Sequence, residues 1–533
     1  MIARRAALLA LLLAAGCSRC GRSDSAASAE ELLPPATAGA LTTAPLGTLA
    51  EHGALLVEKA KSLPGGEQLG DLRRALASQL GFDPLTREGL IAAGLDPGRG
   101  AAISFQSAQP DQQRPSWLIA LPLSNADRFA QKFDQLARER AGFAQRTDQA
   151  RGETRIALYD GGRTEKIAQA VVRGYGLVAR GLDPAAAIAA AALPNRQNLA
   201  QQPGLAAAKS RLGAQDLLAF APAGSDLPRR WMQRRLPGDL ALGLSGTAQG
   251  LTARLFAQLP ADDAQLIAAL LPGGGGGLAD LLPVDAPLRV RLGFASAQLP
   301  AQLGRIQPLA GALAQLRAAV KSAGADLDAD LFGSLEPGLV FSLGVSPRIS
   351  IAQAIDFGFL DWRHHSPFDT VQLVALAPVH DKARLLKALG AVAQSLPRLG
   401  ANALRAGDDF AVSYAGGEGA RFGVRSIGGK EVAYLISALS PDQLRAGGKS
   451  GAPALFAEPG ASLQLDLGKL AQTLAALPAT AYGSGPQSYV AHSLVNQVVL
   501  PLKPLRLELA AQPEKDGLTA DLSLEIVSAK GSQ

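Results

Sequence analysis

The tetrapeptide Gly250-Leu251-Thr252-Ala253 recurs unchanged as Gly517-Leu518-Thr519-Ala520. Each copy begins an apolar run that is typical of the second strand of a hairpin. A single match of this length is weak, so its value depends on further matches in the same order. Such matches exist on the N-terminal side of both copies, and together they indicate a chain of two tandem halves.

The other matches keep the same order along the chain. Leu95-Asp96-Pro97-Gly98 corresponds to Leu335-Glu336-Pro337-Gly338, 240 residues later, and Leu118-Ile119-Ala120-Leu121 corresponds to Leu373-Val374-Ala375-Leu376, 255 residues later. The slowly growing offset makes chance matches a poor explanation. It also indicates about fifteen extra residues in the second half, between the first and second strands of that half.

Helical periodicity, Gly/Pro punctuation and short turns predict the same elements in both halves. Leading helices precede two strands, an amphipathic helix follows (126–140 and 381–395), and hairpins close each half. Short hairpin connections imply antiparallel pairing, so the predicted class is α+β with mainly antiparallel sheets and flanking helices. The predicted halves are 44–260 and 282–527, joined by a Gly-rich linker, 261–281, that contains Gly273 to Gly277.

The N-terminus has the organisation of an export signal. Arg4 and Arg5 precede an apolar run that ends at Ala15, too short to span a bilayer. Ala14-Ala15-Gly16-Cys17 resembles the lipobox of bacterial lipoproteins. The resemblance implies cleavage after a signal peptide of residues 1–16, acylation of Cys17, and a membrane anchor. Residues 17–43, rich in Ser, Ala, Thr and Pro, are predicted to be a flexible tether.

The predicted location follows from the same segment. Ser18 after the acylated cysteine implies, by resemblance to enterobacterial sorting, the outer membrane, with the body facing the periplasm or the surface. Cys20 is the only other cysteine of the chain, and a free thiol, a second lipidation site and an intermolecular disulfide are the alternatives. The formal net charge of +6 over 533 residues does not indicate a nucleic-acid partner.

The layout of the body has a resemblance of its own. The helical opening followed by Gly94-Leu95-Asp96-Pro97 and repeated antiparallel strands resembles a family of exported bacterial proteins with a domain of unassigned function. The resemblance implies no activity and no catalytic residues.

Signatures of common catalytic and nucleotide sites are missing from the sequence. Walker A, H-E-x-x-H and EF-hand patterns do not occur, and Gly243-Leu244-Ser245-Gly246-Thr247 breaks the G-x-S-x-G pattern at its last position. No catalytic residue, resident metal or cofactor is predicted.

One candidate binding loop lies in the extra residues of the second half, because long loops on a rigid scaffold often carry function. Its chemistry-bearing residues are Asp361, Trp362, Arg363, His364, His365 and Asp369. Contact with a partner or ligand and a packed loop with aromatic anchors are the main alternatives. A metal held by one histidine with one aspartate is a third, which the opposed directions of adjacent side chains disfavour.

A second candidate is a basic patch around one tryptophan. Its residues are Arg229, Arg230, Trp231, Arg234 and Arg235. Arginines can bind phosphate in a bidentate manner and tryptophan suits the membrane interface, so the patch could bind anionic headgroups. A solvated basic linker confined between Pro228 and Pro237 is the alternative.

These features predict an exported, lipid-anchored protein of the cell envelope that acts by binding or as a scaffold, without catalysis. Its partners are the membrane, through the acyl chains on Cys17, and an envelope protein or a lipid. The first alternative is a carrier or sensor of a hydrophobic envelope ligand. The second is a hydrolase with a site between the halves.

Overall fold

The computed structural model divides the chain into two compact units, Met1–Pro260 (unit 1) and Ala261–Gln533 (unit 2). Helices and antiparallel strands occur in both units, so the predicted α+β class is confirmed. The residues that the structure describes are 28–107, 116–139, 142–143, 145–161, 166–193, 196–225, 237–298, 300–301, 307–346, 349–351, 371–399, 401–414, 417–437, 444, 460–483 and 486–527.

Unit 1 is built on one antiparallel sheet with helices on both faces. Its strands run in the order β4-β5-β6-β7-β3-β2-β1-β8-β9-β10. The strands are β1 Gly39–Pro45, β2 Gly100–Phe105, β3 Trp117–Pro122, β4 Gln145–Arg151, β5 Thr154–Asp160, β6 Lys166–Val172, β7 Tyr175–Gly181, β8 Leu217–Ala221, β9 Leu240–Gly246 and β10 Gly250–Gln258. The helices are α1 Leu46–Ala60, α2 Gly66–Leu80, α3 Arg87–Ala92, α4 Ala126–Glu139, α5 Pro184–Ala192 and α6 Pro203–Leu212.

Unit 2 follows the same path through its sheet. Its strand order is β14-β15-β16-β17-β13-β12-β11-β18-β19-β20. The strands are β11 Leu288–Leu292, β12 Leu339–Val345, β13 Val371–Pro378, β14 Ala401–Ala406, β15 Asp409–Tyr414, β16 Gly417–Ile427, β17 Lys430–Ser437, β18 Ala461–Asp466, β19 Leu505–Glu514 and β20 Gly517–Ile526. The helices are α7 Ala261–Leu270, α8 Gln307–Ser322, α9 Lys382–Ser395, α10 Leu467–Ala475 and α11 Pro486–Leu494.

Polar N-caps start the helices that pack on the two sheets. The Asn125 side chain accepts a hydrogen bond from the backbone N–H of Arg128 at the start of α4, and Asp381 accepts one from Arg384 at the start of α9. Asp183 caps α5 in the same way, ahead of Pro184 in the first turn. These caps satisfy donors that have no partner within the helix, so they fix where each helix begins.

The strand register corrects the alignment of the two halves by one residue. The sequence match paired Leu121 with Leu376. In the sheets, Leu121 pairs with Gly176 and faces α4, whereas Ala377 pairs with Ala433 and faces α9. Ala377 is therefore the counterpart of Leu121. Because side chains alternate between the two faces of a strand, a shift of one residue exchanges the two faces.

The predicted tether, 17–43, is wrong from Ser28 onward. Leu32 and Leu33 are fully buried in an apolar cluster of unit 1, and the backbone N–H of Leu199 donates to the Leu33 carbonyl at 2.9 Å. Strand β1 pairs with both β2 and β8 and therefore lies inside the sheet. The composition of small residues resembled a tether because Ala, Thr and Gly also fit the closely packed centre of this sheet.

The predicted linker, 261–281, belongs to the body of unit 2. It contains α7 and a 3₁₀ helix, Gly276–Leu281, whose Leu278 is buried in a core cluster of that unit. Gly274 has a φ of +102°, and a Cβ at this position would lie 2.2 Å from the Pro337 carbonyl oxygen. Glycine is required there because the backbone packs directly on another backbone segment. The boundary between the units falls in the sequence after Pro260, not in the glycine run.

Within the described ranges, no helix combines the length and the apolar character needed to cross a bilayer.

Candidate functional site

Both site regions predicted from the sequence lie outside the described residues. This applies to the loop with Asp361, Trp362, Arg363, His364, His365 and Asp369, to the patch with Arg229, Arg230, Trp231, Arg234 and Arg235, and to Cys17. Their roles stay predictions. The described part of unit 2 contains a different candidate, an apolar groove between α9 and the sheet.

The groove has a volume of about 310 Å³. Its floor is the face of the sheet that α9 covers, and its roof is the inner side of α9. The floor residues include Ala375, Ala377, Phe422, Ala433 and Leu435, and the roof residues are Leu385, Leu389 and Val392. Leu331, Leu335 and Leu339 lie at the end nearest the start of β12. The side chains that line the groove are thus hydrocarbon almost throughout.

The corresponding layer of unit 1 is closed. Phe129 and Phe133 of α4 are fully buried against the sheet, and Phe133 contacts Tyr159 edge-to-face with ring centroids 5.0 Å apart. The Phe129 ring lies directly on Gly176, where a Cβ would come within 1.8 Å of it. The glycine makes room for the ring, and the ring fills the space between helix and sheet.

The matched helix caps and the strand register show at which corresponding positions unit 2 has smaller residues than unit 1. Counting from Asn125 and Asp381, Phe129 and Phe133 of α4 correspond to Leu385 and Leu389 of α9. On the strand beneath, Ile119 and Leu121 correspond to Ala375 and Ala377. Four positions of this layer therefore carry smaller side chains in unit 2 than in unit 1.

Larger residues in neighbouring strands of unit 2 fill only part of the space that these four smaller side chains leave. Phe410 and Phe422 stack with ring centroids 5.0 Å apart and pack beneath the C-terminal half of α9. They stand where unit 1 has Ala157 and Gln169. The aromatic volume thus moves from the helix to one side of the sheet, and the centre of the layer stays open.

A polar cluster lies on the face of β15, β16 and β17 that points away from the groove. The Tyr434 hydroxyl donates to Asp409 at 2.5 Å, and the Arg425 guanidinium donates to the same carboxylate at 2.8 Å. Burial by itself would raise the pKa of Asp409, but the hydrogen bonds from Arg425 and Tyr434 outweigh it, so that pKa lies below its usual value. Burial, together with the Asp409 charge, raises the pKa of Tyr434. The cluster joins β15, β16 and β17 behind the groove.

This cluster predicts acid sensitivity of unit 2. A carboxylate whose pKa is lower in the folded state contributes stability above its unfolded pKa, here 3.8, and loses it as the pH falls through the folded pKa. Asp409→Asn should lower the free energy of unfolding of unit 2 by about 2 kcal/mol near neutral pH, a typical value for hydrogen bonds to a charged group. It should also weaken the fall in that free energy as the pH is lowered. Urea unfolding from about pH 6 to about pH 2 measures both effects.

Asp408→Asn is the matched control for this prediction, because it removes the adjacent carboxylate, whose ion pair with Lys382 is solvent-exposed. Exposed ion pairs contribute little, so its acid limb should match the parent. Identical pH profiles for Asp409→Asn and the parent would show that the cluster does not stabilise the fold.

A histidine–aspartate pair is the main polar contact of unit 1 that resembles a catalytic fragment. His52 Nδ1 lies 2.7 Å from an oxygen of Asp216, which also accepts the backbone N–H of Gly246 at 2.7 Å. The neighbouring Ser245 hydroxyl donates to Gln215 at 3.2 Å. The pair joins α1 to the residue before β8, and the hydrogen bond from Gly246 links it to the end of β9, so these contacts account for it as a structural link. Among the residues described, no group of three or more His, Cys, Asp or Glu side chains is placed to hold a metal.

The alternation of Ala375 and Ala377 in β13 was the available signal for the groove. The sequence match aligned Ala375 with Ala120 and would align Ala377 with Pro122. It therefore did not show that these two alanines replace the larger Ile119 and Leu121 of unit 1. The sequence matches no protein-family model, no curated protein and no solved structure.

Proposed function

We propose that this chain is an exported, lipid-anchored binding protein of the cell envelope that holds a small apolar ligand in the groove of unit 2. The observation that carries the proposal is the open layer between α9 and the sheet, beside the closed layer of unit 1. Export and acylation rest on the N-terminal sequence, 1–17, and the ligand class rests on the groove.

The lining favours a hydrocarbon ligand. A volume of about 310 Å³ falls at the small end of pockets that hold small molecules. Burying hydrocarbon there contributes about 0.8 kcal/mol per methylene group. Among the described residues that line the groove, Tyr434 alone has a polar side-chain group, and its hydroxyl already donates to Asp409. A charged or strongly polar ligand would lose water without gaining partners.

A binding role also accounts for the retained duplication. Unit 1 keeps a filled layer and supplies a stable copy of the fold, while the same layer in unit 2 is free for a ligand. Only a few side chains distinguish the two states, so a binding site can arise on this scaffold without a change of topology. The proposal therefore assigns different roles to the two units.

Filling the groove tests the proposal. The double variant Ala375→Ile, Ala377→Leu gives unit 2 the residues that unit 1 has at these positions. The probe is N-phenyl-1-naphthylamine, an uncharged fluorophore that brightens in apolar sites. We expect saturable binding to the parent and at least about a tenfold weaker binding to the variant, because the added methyl groups occupy the space of the ligand.

Ala406→Leu is the control, because it makes one of the same side-chain enlargements at an exposed position of β14 in the same unit. It should bind the probe like the parent. Thermal unfolding establishes that all three proteins are folded. Equal binding by the filled variant and the parent, or no saturable binding by the folded parent, would contradict the proposal.

A further inference from the structure

A second apolar surface lies on α11 and its continuation, and it shares no residue with the groove lining. The chain contains no Asp, Glu, Lys or Arg between Lys469 and Lys503. Within this interval α11, a π-helical turn Val495–Val499 and a 3₁₀ turn Leu500–Leu502 follow one another without a break. The result is a helical segment, 486–502, that is free of formal charge.

The inner side of this segment fixes it to unit 2. Ala491 and Val495 are buried in a cluster with Leu474 of α10. The His492 ring stacks on Tyr482 with centroids 4.0 Å apart, and the Tyr482 hydroxyl donates to the Leu474 carbonyl at 2.8 Å. The segment is thus held in place by its own packing and needs no partner to form.

Four exposed apolar side chains lie on the outer side, beside the exposed polar residues His492, Asn496 and Gln497. Tyr489 is 79% exposed, Val490 55%, Leu494 38% and Val498 51%. The last three follow at intervals of four residues and therefore lie along one side of the helical segment. We call Tyr489, Val490, Leu494 and Val498 the outer stripe. An ordinary surface helix would carry charged residues here, so the stripe requires a separate explanation.

We propose that the outer stripe lies on the surface of the lipid bilayer and inserts its side chains among the headgroups and upper acyl chains. The size of the surface favours this occupant. Seventeen helical residues span about 26 Å, and one face about 10 Å wide covers roughly 260 Å². A stable protein interface needs about 800 Å² from each partner.

The chemistry of the stripe agrees with this occupant. With no charge on the segment, no ionic group has to leave water when the helix enters the interface. Tyr489, the most exposed member, combines an apolar ring with a hydroxyl and suits the boundary between headgroup and acyl chain. Without basic residues the contact should not need anionic lipids. The inference does not rest on the apolar ligand proposed for the groove.

The test reconstitutes the full chain into vesicles of phosphatidylcholine alone. A nitrobenzoxadiazole fluorophore is attached to a cysteine introduced at Val498, in a Cys17→Ser, Cys20→Ser background that leaves no other cysteine in the chain. We expect a blue-shifted emission and quenching by lipids that carry a doxyl group on the acyl chain. The same fluorophore at Leu404, which is 76% exposed on β14, should give the emission seen in water.

A flotation experiment measures how much the outer stripe contributes to membrane binding. Vesicles of phosphatidylcholine, with or without anionic lipid, are floated with the full chain and with Tyr489→Ser, Val490→Ser, Leu494→Ser. After excess unlabelled vesicles are added as competitors, some protein stays on the original vesicles. This fraction should be about tenfold lower for the triple variant than for the parent, as expected for the loss of several exposed apolar side chains. The control Leu266→Ser, Val284→Ser, Leu404→Ser removes three exposed apolar side chains elsewhere in unit 2 and should leave it unchanged.

Three results would overturn the inference. The first is a fluorophore at Val498 that emits as in water. The second is equal flotation of the stripe variant and its control. The third is concentration-dependent dimerisation that the stripe variant abolishes, with no difference in flotation, which would identify a second copy of the chain as the occupant. Because the replaced side chains are exposed, the variants should unfold at the parent temperature, and circular dichroism verifies this.

Discussion

Replacing Leu32 and Leu33 with alanine is expected to lower the free energy of unfolding of unit 1 by about 4 kcal/mol or more. Both side chains are fully buried among residues of the sheet and of α5 and α6. Each leucine-to-alanine change in such a core typically costs about 2–5 kcal/mol. Since a domain of this size has a total stability of about 5–15 kcal/mol, backbone amides in a large part of unit 1 should lose protection from hydrogen exchange.

Hydrogen exchange by mass spectrometry is the suitable measurement, because it reports the two units separately. Peptides from β1, β2 and β8 should lose protection in the double variant, while peptides from β12 and β13 should keep it. Leu193→Ala, which truncates a leucine of unit 1 that is 60% exposed, is the control. Unchanged protection in the double variant would mean that residues 28–38 are a tether after all.

The same segment shows how composition can mislead. Small residues and prolines before β1 resemble a linker, yet the carbonyls of Pro34 and Pro35 accept side-chain hydrogen bonds from Ser104 and Gln106. The Glu30 carboxylate contacts Lys209 at 2.6 Å, a partner 179 residues away. Contacts across such a distance in sequence have no local signal. Burial by itself would raise the pKa of Glu30, but the contact with Lys209 outweighs it and lowers the pKa.

The duplication and the class of the fold were accessible because they depend on local patterns. Hairpin turns, caps such as Asp183 and Asp381, and amphipathic helices appear in the sequence at nearly their structural positions. The groove was not accessible, because it depends on which face each strand residue takes. A shift of one residue in the alignment reversed the faces of β13, and the register of that strand is fixed by its pairing with the neighbouring strands, as where Ala377 pairs with Ala433.

Opening the same layer in unit 1 is expected to destabilise that unit strongly. The double variant Ile119→Ala, Leu121→Ala removes the two strand side chains beneath α4 that unit 2 lacks. Both are buried, with Leu121 fully so. Each truncation should cost about 2–5 kcal/mol, because Phe129 and Phe133 are held by neighbours on all sides and cannot collapse into the space.

The reverse change in unit 2 should leave the stability of that unit nearly unchanged. Ala375→Ile, Ala377→Leu adds bulk to a layer that has room, so its stability should stay within about 1.5 kcal/mol of the parent. Urea unfolding, followed by exchange in peptides of each unit, measures both variants, with Leu182→Ala as the exposed control in unit 1.

The combined outcome discriminates between a site and a loosely packed core. If the open layer of unit 2 is a site, filling it abolishes probe binding at little cost in stability, while opening unit 1 costs stability. If unit 2 is merely a less perfect copy of the same core, filling its layer should stabilise it by an amount comparable to the loss in unit 1, and the parent should not bind the probe. Each unit thus serves as the reference for the other, because the two share one strand order and one chain, and the same four positions between helix and sheet are compared in both.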